Sequence, residues 1–105
     1  MKAILCGPDE NGLADALADE GVELTRIEDI VTRPALEDAG IDGADLVVLT
    51  DVAEATAIPL AKELNPGVRV VVYANQSLPE FAKGQADLAV DPKLLSASVV
   101  AEELV

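Results

Sequence analysis

Histidine and tryptophan are absent from the 105-residue sequence, and cysteine, phenylalanine and tyrosine occur once each. Without histidine, the chain lacks the commonest general base and metal ligand of proteins. The single cysteine, Cys6, excludes an intramolecular disulfide and a cysteine metal cluster, and we expect it to be a small buried hydrophobe. No apolar run approaches the roughly 20 residues that a membrane-spanning helix requires, and no signal pattern is present. A cytoplasmic protein without membrane insertion is therefore expected, and catalysis is not.

Basic residues are also scarce, since seven Lys and Arg stand against 20 Asp and Glu, for a formal net charge of −13. Such a charge repels nucleic acid and anionic membrane surfaces, so neither is expected as a partner. An acidic surface over a core rich in Ala and Val is typical of halophilic proteins. In molar salt the Debye length falls to about 3 Å, which screens self-repulsion. Most of the carboxylates are therefore interpreted as a solvated surface.

Half of the residues are apolar, and they occur in short runs that alternate with segments of helical spacing. Five predicted strands alternate with five helical segments along residues 1–105, without a linker or a repeat. This alternation predicts a single α/β domain with a doubly wound parallel sheet and helices on both faces. The flavodoxin/Rossmann-like strand order 2-1-3-4-5 is expected, with its switch point between strands one and three.

The predicted strands lie near residues 2–6, 22–27, 45–51, 68–74 and 87–91. A turn bounded by Gly7 and Gly12 follows the first strand, and the switch point places this turn beside Thr50 and Asp51. Ligands of open α/β sheets bind at this edge, so the turn is the first candidate site. The last helix is expected to bury an apolar face formed by Leu94, Leu95, Val99, Val100 and Leu104.

From residue 32 onward, the sequence carries several matches to one known family. They are Arg33-Pro34, residues 36–41, residues 44–50, residues 61–66 and residues 86–92. On these segments the chain resembles the nucleotide-binding domain of regulators of potassium conductance (RCK), the TrkA amino-terminal domain, in a shortened stand-alone form. The family opens with G-x-G-x-x-G; Gly7 and Gly12 match its first and last glycines, and Asp9 occupies the middle position.

This resemblance implies a non-catalytic regulatory domain that senses a nucleotide such as NAD or ATP/ADP. It also implies a homodimer that reports its ligand state to a protein partner such as a transporter. The implied cofactor-binding residues fall into three groups. Gly7, Pro8, Asp9 and Gly12 would form the turn that binds the phosphate. Glu28 would bind the ribose, and Thr50 and Asp51 would form the floor of the pocket.

A second resemblance is to the response-regulator receiver domain, which shares the strand order 2-1-3-4-5. The phospho-acceptor aspartate of receivers corresponds to Thr50, with Asp51 next to it. Their lysine after the fifth strand corresponds to Asp91, which Pro92 and Lys93 follow. A degenerate receiver-like interaction module is therefore an alternative.

A third alternative is a magnesium-dependent phosphoryl-transfer enzyme. Carboxylate oxygens are the ligands that Mg²⁺ prefers, and the predicted topology places five carboxylates along one edge of the sheet. They are Asp9, Glu10, Glu28, Asp51 and Asp91.

Overall fold

The short apolar runs of the sequence form the strands of one parallel sheet. The computed structural model describes residues 1–28, 30–75 and 77–105, and Phe81 only by its backbone. The sheet has five strands in the order β2-β1-β3-β4-β5, and all neighbours are parallel. The strands are β1 (Lys2–Cys6), β2 (Glu23–Ile27), β3 (Leu46–Leu49), β4 (Arg69–Tyr73) and β5 (Leu88–Val90). The predicted α/β fold and strand order are confirmed.

Helices connect the strands and cover both faces of the sheet. They are α1 (Leu13–Asp19), α2 (Arg33–Asp38), α3 (Ala57–Leu64), α4 (Glu80–Lys83) and α5 (Ala97–Leu104). Two 3₁₀ turns, Ile41–Gly43 and Val52–Glu54, precede β3 and α3 respectively. In the described part of the chain, none of these helices is long and apolar enough to cross a bilayer. The predicted cytoplasmic location stays a prediction.

The centre of the sheet explains why the core is almost wholly aliphatic. All four residues of β3 are fully buried, because helices cover both of their faces. Alternate side chains of β1 point to opposite faces, so Ile4 belongs to one apolar cluster and Leu5 to the other. Each fully buried Leu, Ile or Val contributes about 1.5–3 kcal/mol relative to an exposed one.

Local signals set the helix ends. The Thr32 hydroxyl accepts a hydrogen bond from the Ala35 amide at 3.2 Å, and Pro34 lies in the first turn of α2. Pro59 lies in the first turn of α3, where its missing amide costs no helical hydrogen bond. Helix α3 therefore begins at Ala57, shortly after the 3₁₀ turn Val52–Glu54.

The last helix differs from the prediction. It begins only at Ala97, because Asp91 accepts hydrogen bonds from the chain that follows it and holds residues 91–95 in a turn. The buried side chains are Val100, Ala101 and Leu104. The expectation that Leu94, Leu95 and Val99 are buried is wrong, since all three are exposed.

An ion pair joins α3 to the beginnings of β4 and β5 at the amino end of the sheet. Lys62 Nζ donates to Asp87 Oδ2 at 2.7 Å and to the Val68 carbonyl oxygen at 2.7 Å. The same Asp87 oxygen accepts the Val70 amide at 2.8 Å. The hydrogen bond from Lys62 and then that from Val70 hold the pKa of Asp87 below its usual value. The charged carboxylate therefore stabilises the start of β4.

Replacing Asp87 with Asn tests this contribution. At pH 7 we expect the free energy of unfolding to fall by about 1 kcal/mol. This is the contribution of a charge-assisted hydrogen bond, reduced because solvent screens the partly exposed pair. The folded pKa lies below the unfolded value near 3.8. The contribution is therefore present above about pH 4 and is lost as the pH falls through the folded pKa. Urea unfolding across this range measures it.

The matched control is Asp42→Asn at an exposed position. If Asp87→Asn lowers the free energy of unfolding by the same amount at acid pH as at pH 7, the role of the charge is contradicted.

Candidate functional site

The carboxyl edge of the sheet is closed where β1 meets β3. The Thr50 amide donates to the Cys6 carbonyl oxygen at 3.0 Å, and the Thr50 hydroxyl donates to the same oxygen at 3.3 Å. On the other side, the Gly7 amide donates to the Ile27 carbonyl oxygen at 3.3 Å. The end of β1 is thus fixed to both neighbouring strands.

Gly7 permits this close approach. Its φ is +108°, a conformation that L side chains rarely adopt. A Cβ on Gly7 would lie 2.6 Å from Thr50 Oγ1 and 3.4 Å from Asp51 Cβ. The structure therefore brings the first turn against Thr50 and Asp51, as the predicted switch point requires.

The Asp9 carboxylate occupies the amino terminus of α1. Its Oδ1 accepts the Leu13 amide at 2.8 Å and the Ala14 amide at 3.2 Å, and its Oδ2 also lies 3.2 Å from the Ala14 amide. Gly12, with φ +75°, stands at the N-cap position and has no side chain to cap the helix. Free amides at a helix start are what attracts a phosphate. Here a carboxylate of the same chain already accepts two of them.

Two other carboxylates at this edge are likewise engaged by their own loops. Asp51 Oδ1 accepts the Ala53 amide at 2.9 Å and begins the 3₁₀ turn Val52–Glu54. Asp91 Oδ1 accepts the Lys93 amide at 2.9 Å. Both contacts are typical of aspartates that stabilise turns.

The remaining predicted site residues are more exposed. Glu28 pairs with Arg26 at 3.4 Å, and its side chain is 73% exposed. Pro8 and Glu10 are both exposed, in the turn between β1 and α1. The structure thus brings Gly7, Thr50 and Asp51 together, while Glu28 lies beyond the end of the edge strand β2. A nucleotide role for the seven residues stays a prediction.

No metal centre forms among the residues that the structure describes, since it shows no group of three or more His, Cys, Asp or Glu side chains able to hold an ion. The arrangement therefore gives no support to the magnesium alternative built on Asp9, Glu10, Glu28, Asp51 and Asp91.

A polar cleft of about 230 Å³ opens beside Thr50 at the same edge. Its charged side chains are of opposite sign, Glu10 and Lys93. Tyr73 of β4 and the following Ala74 also line the cleft, and the sequence did not predict them as site residues. The topology could have indicated them, because the carboxyl end of a central strand reaches this edge. The other residues that line the cleft are Asn11, Thr50, Tyr73, Ala74, Asn75 and Pro92.

Two side chains near this edge carry groups that react in other proteins, the thiol of Cys6 and the hydroxyl of Tyr73, and both are protonated here. Burial, and secondarily the Glu54 carboxylate, raises the pKa of the Cys6 thiol to about 12, and Cys6 is fully buried. Burial also raises the pKa of Tyr73, whose hydroxyl donates to the Leu95 carbonyl oxygen at 2.8 Å. Reactive cysteines need a lowered pKa and access, and Cys6 has neither.

The sequence model of a family of unknown function (DUF7126) matches residues 3–104. The chain belongs to the DUF7126 family. A search of curated proteins gave no match.

Solved structures similar to this DUF7126 protein include response regulators. One is an orphan response regulator of H. pylori, with 20% identity, a TM-score of 0.76, and coverage of 99% of this chain and 92% of the other. Another is an atypical orphan response regulator described as having a phosphorylation-independent regulatory mechanism. It has 21% identity, a TM-score of 0.70, and coverage of 98% and 91%.

A pilus assembly protein (CpaE) of Burkholderia thailandensis is also similar, with 17% identity, a TM-score of 0.67, and coverage of 99% and 94%. At these identities the likeness establishes the fold, which is that of receiver domains.

The expected membership in the RCK/TrkA-N family is wrong. The family match and the similar structures point to DUF7126 and to the receiver fold. The short matches that suggested RCK lie on the buried strand β3, the edge strand β5 and the helices α2 and α3, which are elements that many parallel α/β proteins share. The middle position of the glycine motif also has a structural role here, since Asp9 caps α1.

Gly7→Ala tests the closure of this edge. We expect the free energy of unfolding to fall by about 2–4 kcal/mol, because the new methyl group meets Thr50 Oγ1 and the backbone conformation is strained. Gly12→Ala is the matched control, since its φ is also positive but nothing lies within 4 Å of the added Cβ. It should cost only the strain, about 1–2 kcal/mol.

Adding Thr50→Ala to Gly7→Ala removes the clashing oxygen and should recover part of the difference. Chemical denaturation of the wild type, the two glycine variants, Thr50→Ala and the double variant gives these values. If Gly7→Ala and Gly12→Ala lower the free energy of unfolding equally, the close approach of Gly7 to Thr50 is contradicted.

Proposed function

We propose that this DUF7126 protein is a receiver-like regulatory module that acts through protein contacts and without phosphorylation of an aspartate. The observation that carries the proposal is the engagement of Thr50 at the end of β3. Its hydroxyl donates to the Cys6 carbonyl oxygen, and it stands against Gly7. A receiver-type acceptor would present a free carboxylate at this position.

The neighbouring charges support the same conclusion. Asp51 directs its carboxylate to the Ala53 amide and Asp9 directs its own to the start of α1. Phosphoryl transfer to a carboxylate requires a bound cation and a positive charge that neutralise the developing negative charge. The position of the receiver lysine is Asp91, whose carboxylate accepts the Lys93 amide.

The comparisons favour regulation as the role of such a fold. Two of the similar structures are orphan response regulators, and one of them is described as working independently of phosphorylation. In this proposal the protein is a binding module rather than an enzyme, its partners are proteins, and the fold serves as a rigid support for a contact surface.

Phosphorylation assays test the proposal. The chain is incubated with acetyl phosphate and Mg²⁺, and separately with beryllofluoride and Mg²⁺, in molar KCl. We expect no phosphoryl adduct in the intact mass and no rise in melting temperature, because ligands specific to the folded state would raise it by mass action. A receiver that autophosphorylates from acetyl phosphate serves as the positive control.

A stoichiometric adduct on wild type and on Asp15→Asn that disappears in Asp51→Asn would overturn the proposal. Asp15 is the matched control because it is an exposed carboxylate on α1, away from β3.

A further inference from the structure

The three asparagines of the chain, Asn11, Asn65 and Asn75, have different surroundings. The amide group of Asn65 donates to two backbone carbonyl oxygens at 2.8 and 3.0 Å, and proline follows it in the sequence. Asn11 and Asn75 are both exposed, and both line the polar cleft beside Thr50. The residue that follows is glycine after Asn11 and glutamine after Asn75. Asn11 is therefore the exposed asparagine with the least hindered neighbour.

The absence of a side chain at residue 12 matters because an asparagine can react with the backbone that follows it. The amide nitrogen of the next residue attacks the side-chain carbonyl carbon and closes a five-membered ring. A side chain on that next residue hinders the closure. Gly12 has none, and even a Cβ built there would meet nothing within 4 Å. The turn between β1 and α1 therefore leaves room for the ring to form.

The hydrogen bonds of this turn leave the required nitrogen available. The Gly12 carbonyl oxygen accepts the Ala16 amide at 3.1 Å, whereas in the described part of the chain no hydrogen bond begins at the Gly12 amide. The chain contains a second acidic or amide residue before glycine, the pair Asp42-Gly43. There the Gly43 amide donates to the Gly40 carbonyl oxygen at 3.1 Å. Of these two glycine amides, the one after Asn11 is the available nucleophile.

We propose that Asn11 is a modification site, at which the side chain deamidates spontaneously through a succinimide closed by the Gly12 nitrogen. The bond between this nitrogen and Asn11 Cγ forms, and the bond from Cγ to Nδ2 breaks. Nδ2 leaves as ammonia and takes up the proton that the Gly12 amide loses. Water then opens the ring at either of its two carbonyl groups, which gives aspartate or isoaspartate. One water is consumed, one ammonia is released, and no oxidant or enzyme is required.

The modification changes the cleft in which Asn11 lies. The charged side chains that line the cleft are Glu10 and Lys93, whose charges cancel, so a carboxylate at residue 11 makes the lining negative. The isoaspartate product also adds one carbon to the main chain directly before Gly12, the residue from which α1 begins. Both products therefore alter the surface of this edge. This site is independent of the proposed function, since it needs neither a partner nor a phosphoryl donor.

Mass spectrometry of the full chain after incubation in mildly alkaline buffer with molar KCl tests the proposal. We expect the wild type to gain nearly one dalton, and peptide mapping to place the gain at residue 11 as separate aspartate and isoaspartate products. Asn11→Gln should abolish the gain, because glutamine would have to close a larger ring. Asn75→Gln is the matched control, since it also replaces an exposed asparagine of the same cleft, and it should leave the gain unchanged.

A synthetic peptide of residues 7–16 is incubated in the same buffer until half of it has deamidated, which defines the time of measurement. Circular dichroism verifies that each variant is folded. A folded wild type that keeps its mass over this time would overturn the proposal, because the fold would then protect Asn11. A gain that persists in Asn11→Gln would also overturn it, and aspartate without isoaspartate would contradict the succinimide.

Discussion

The helix that follows the first strand begins on a carboxylate of the same chain. Asp9 accepts the amides of Leu13 and Ala14, and its position follows from the turn at Gly7, which lies against Thr50. In a parallel α/β sheet this helix start is the natural place for an anion. Once the carboxylate occupies it, β1, α1 and β3 form a closed edge. Capping of this kind contributes about 1 kcal/mol. Asp9 therefore stabilises the start of α1 and at the same time engages the amides that an anion would contact.

We propose that the receiver fold of this protein works without the phosphorylation chemistry of receivers. The Thr50 hydroxyl is bonded to the end of β1, and the carboxylates of Asp51 and Asp91 accept backbone amides of their own turns. Exposed leucines lie at the β5 end of the sheet, among them Leu88 and Leu94. Regulation through protein contacts is the role that we propose for this fold.

The sequence was sufficient for the fold because periodicity carries that information. The buried run Leu46–Leu49 and the alternation of strands with helices predict the parallel sheet and its order. The family assignment failed because buried strands look alike across α/β proteins. The role of Asp9 depends on where its carboxylate points, which the pattern does not specify. Leu94 and Leu95 were expected in the core because apolar spacing alone does not show that the turn after Asp91 delays α5.

The most direct test of the closed edge is an NMR titration of the ¹⁵N-labelled chain with inorganic phosphate and with Mg²⁺ in molar KCl. The amides of Leu13, Ala14, Thr50 and Ala53 report on the groups that a ligand would contact. We expect these four signals to show no saturable shift in the wild type, because nearby oxygen atoms of the chain already accept all four. A saturable shift confined to these signals would contradict the account, since it would mean that the edge binds a ligand despite its internal hydrogen bonds.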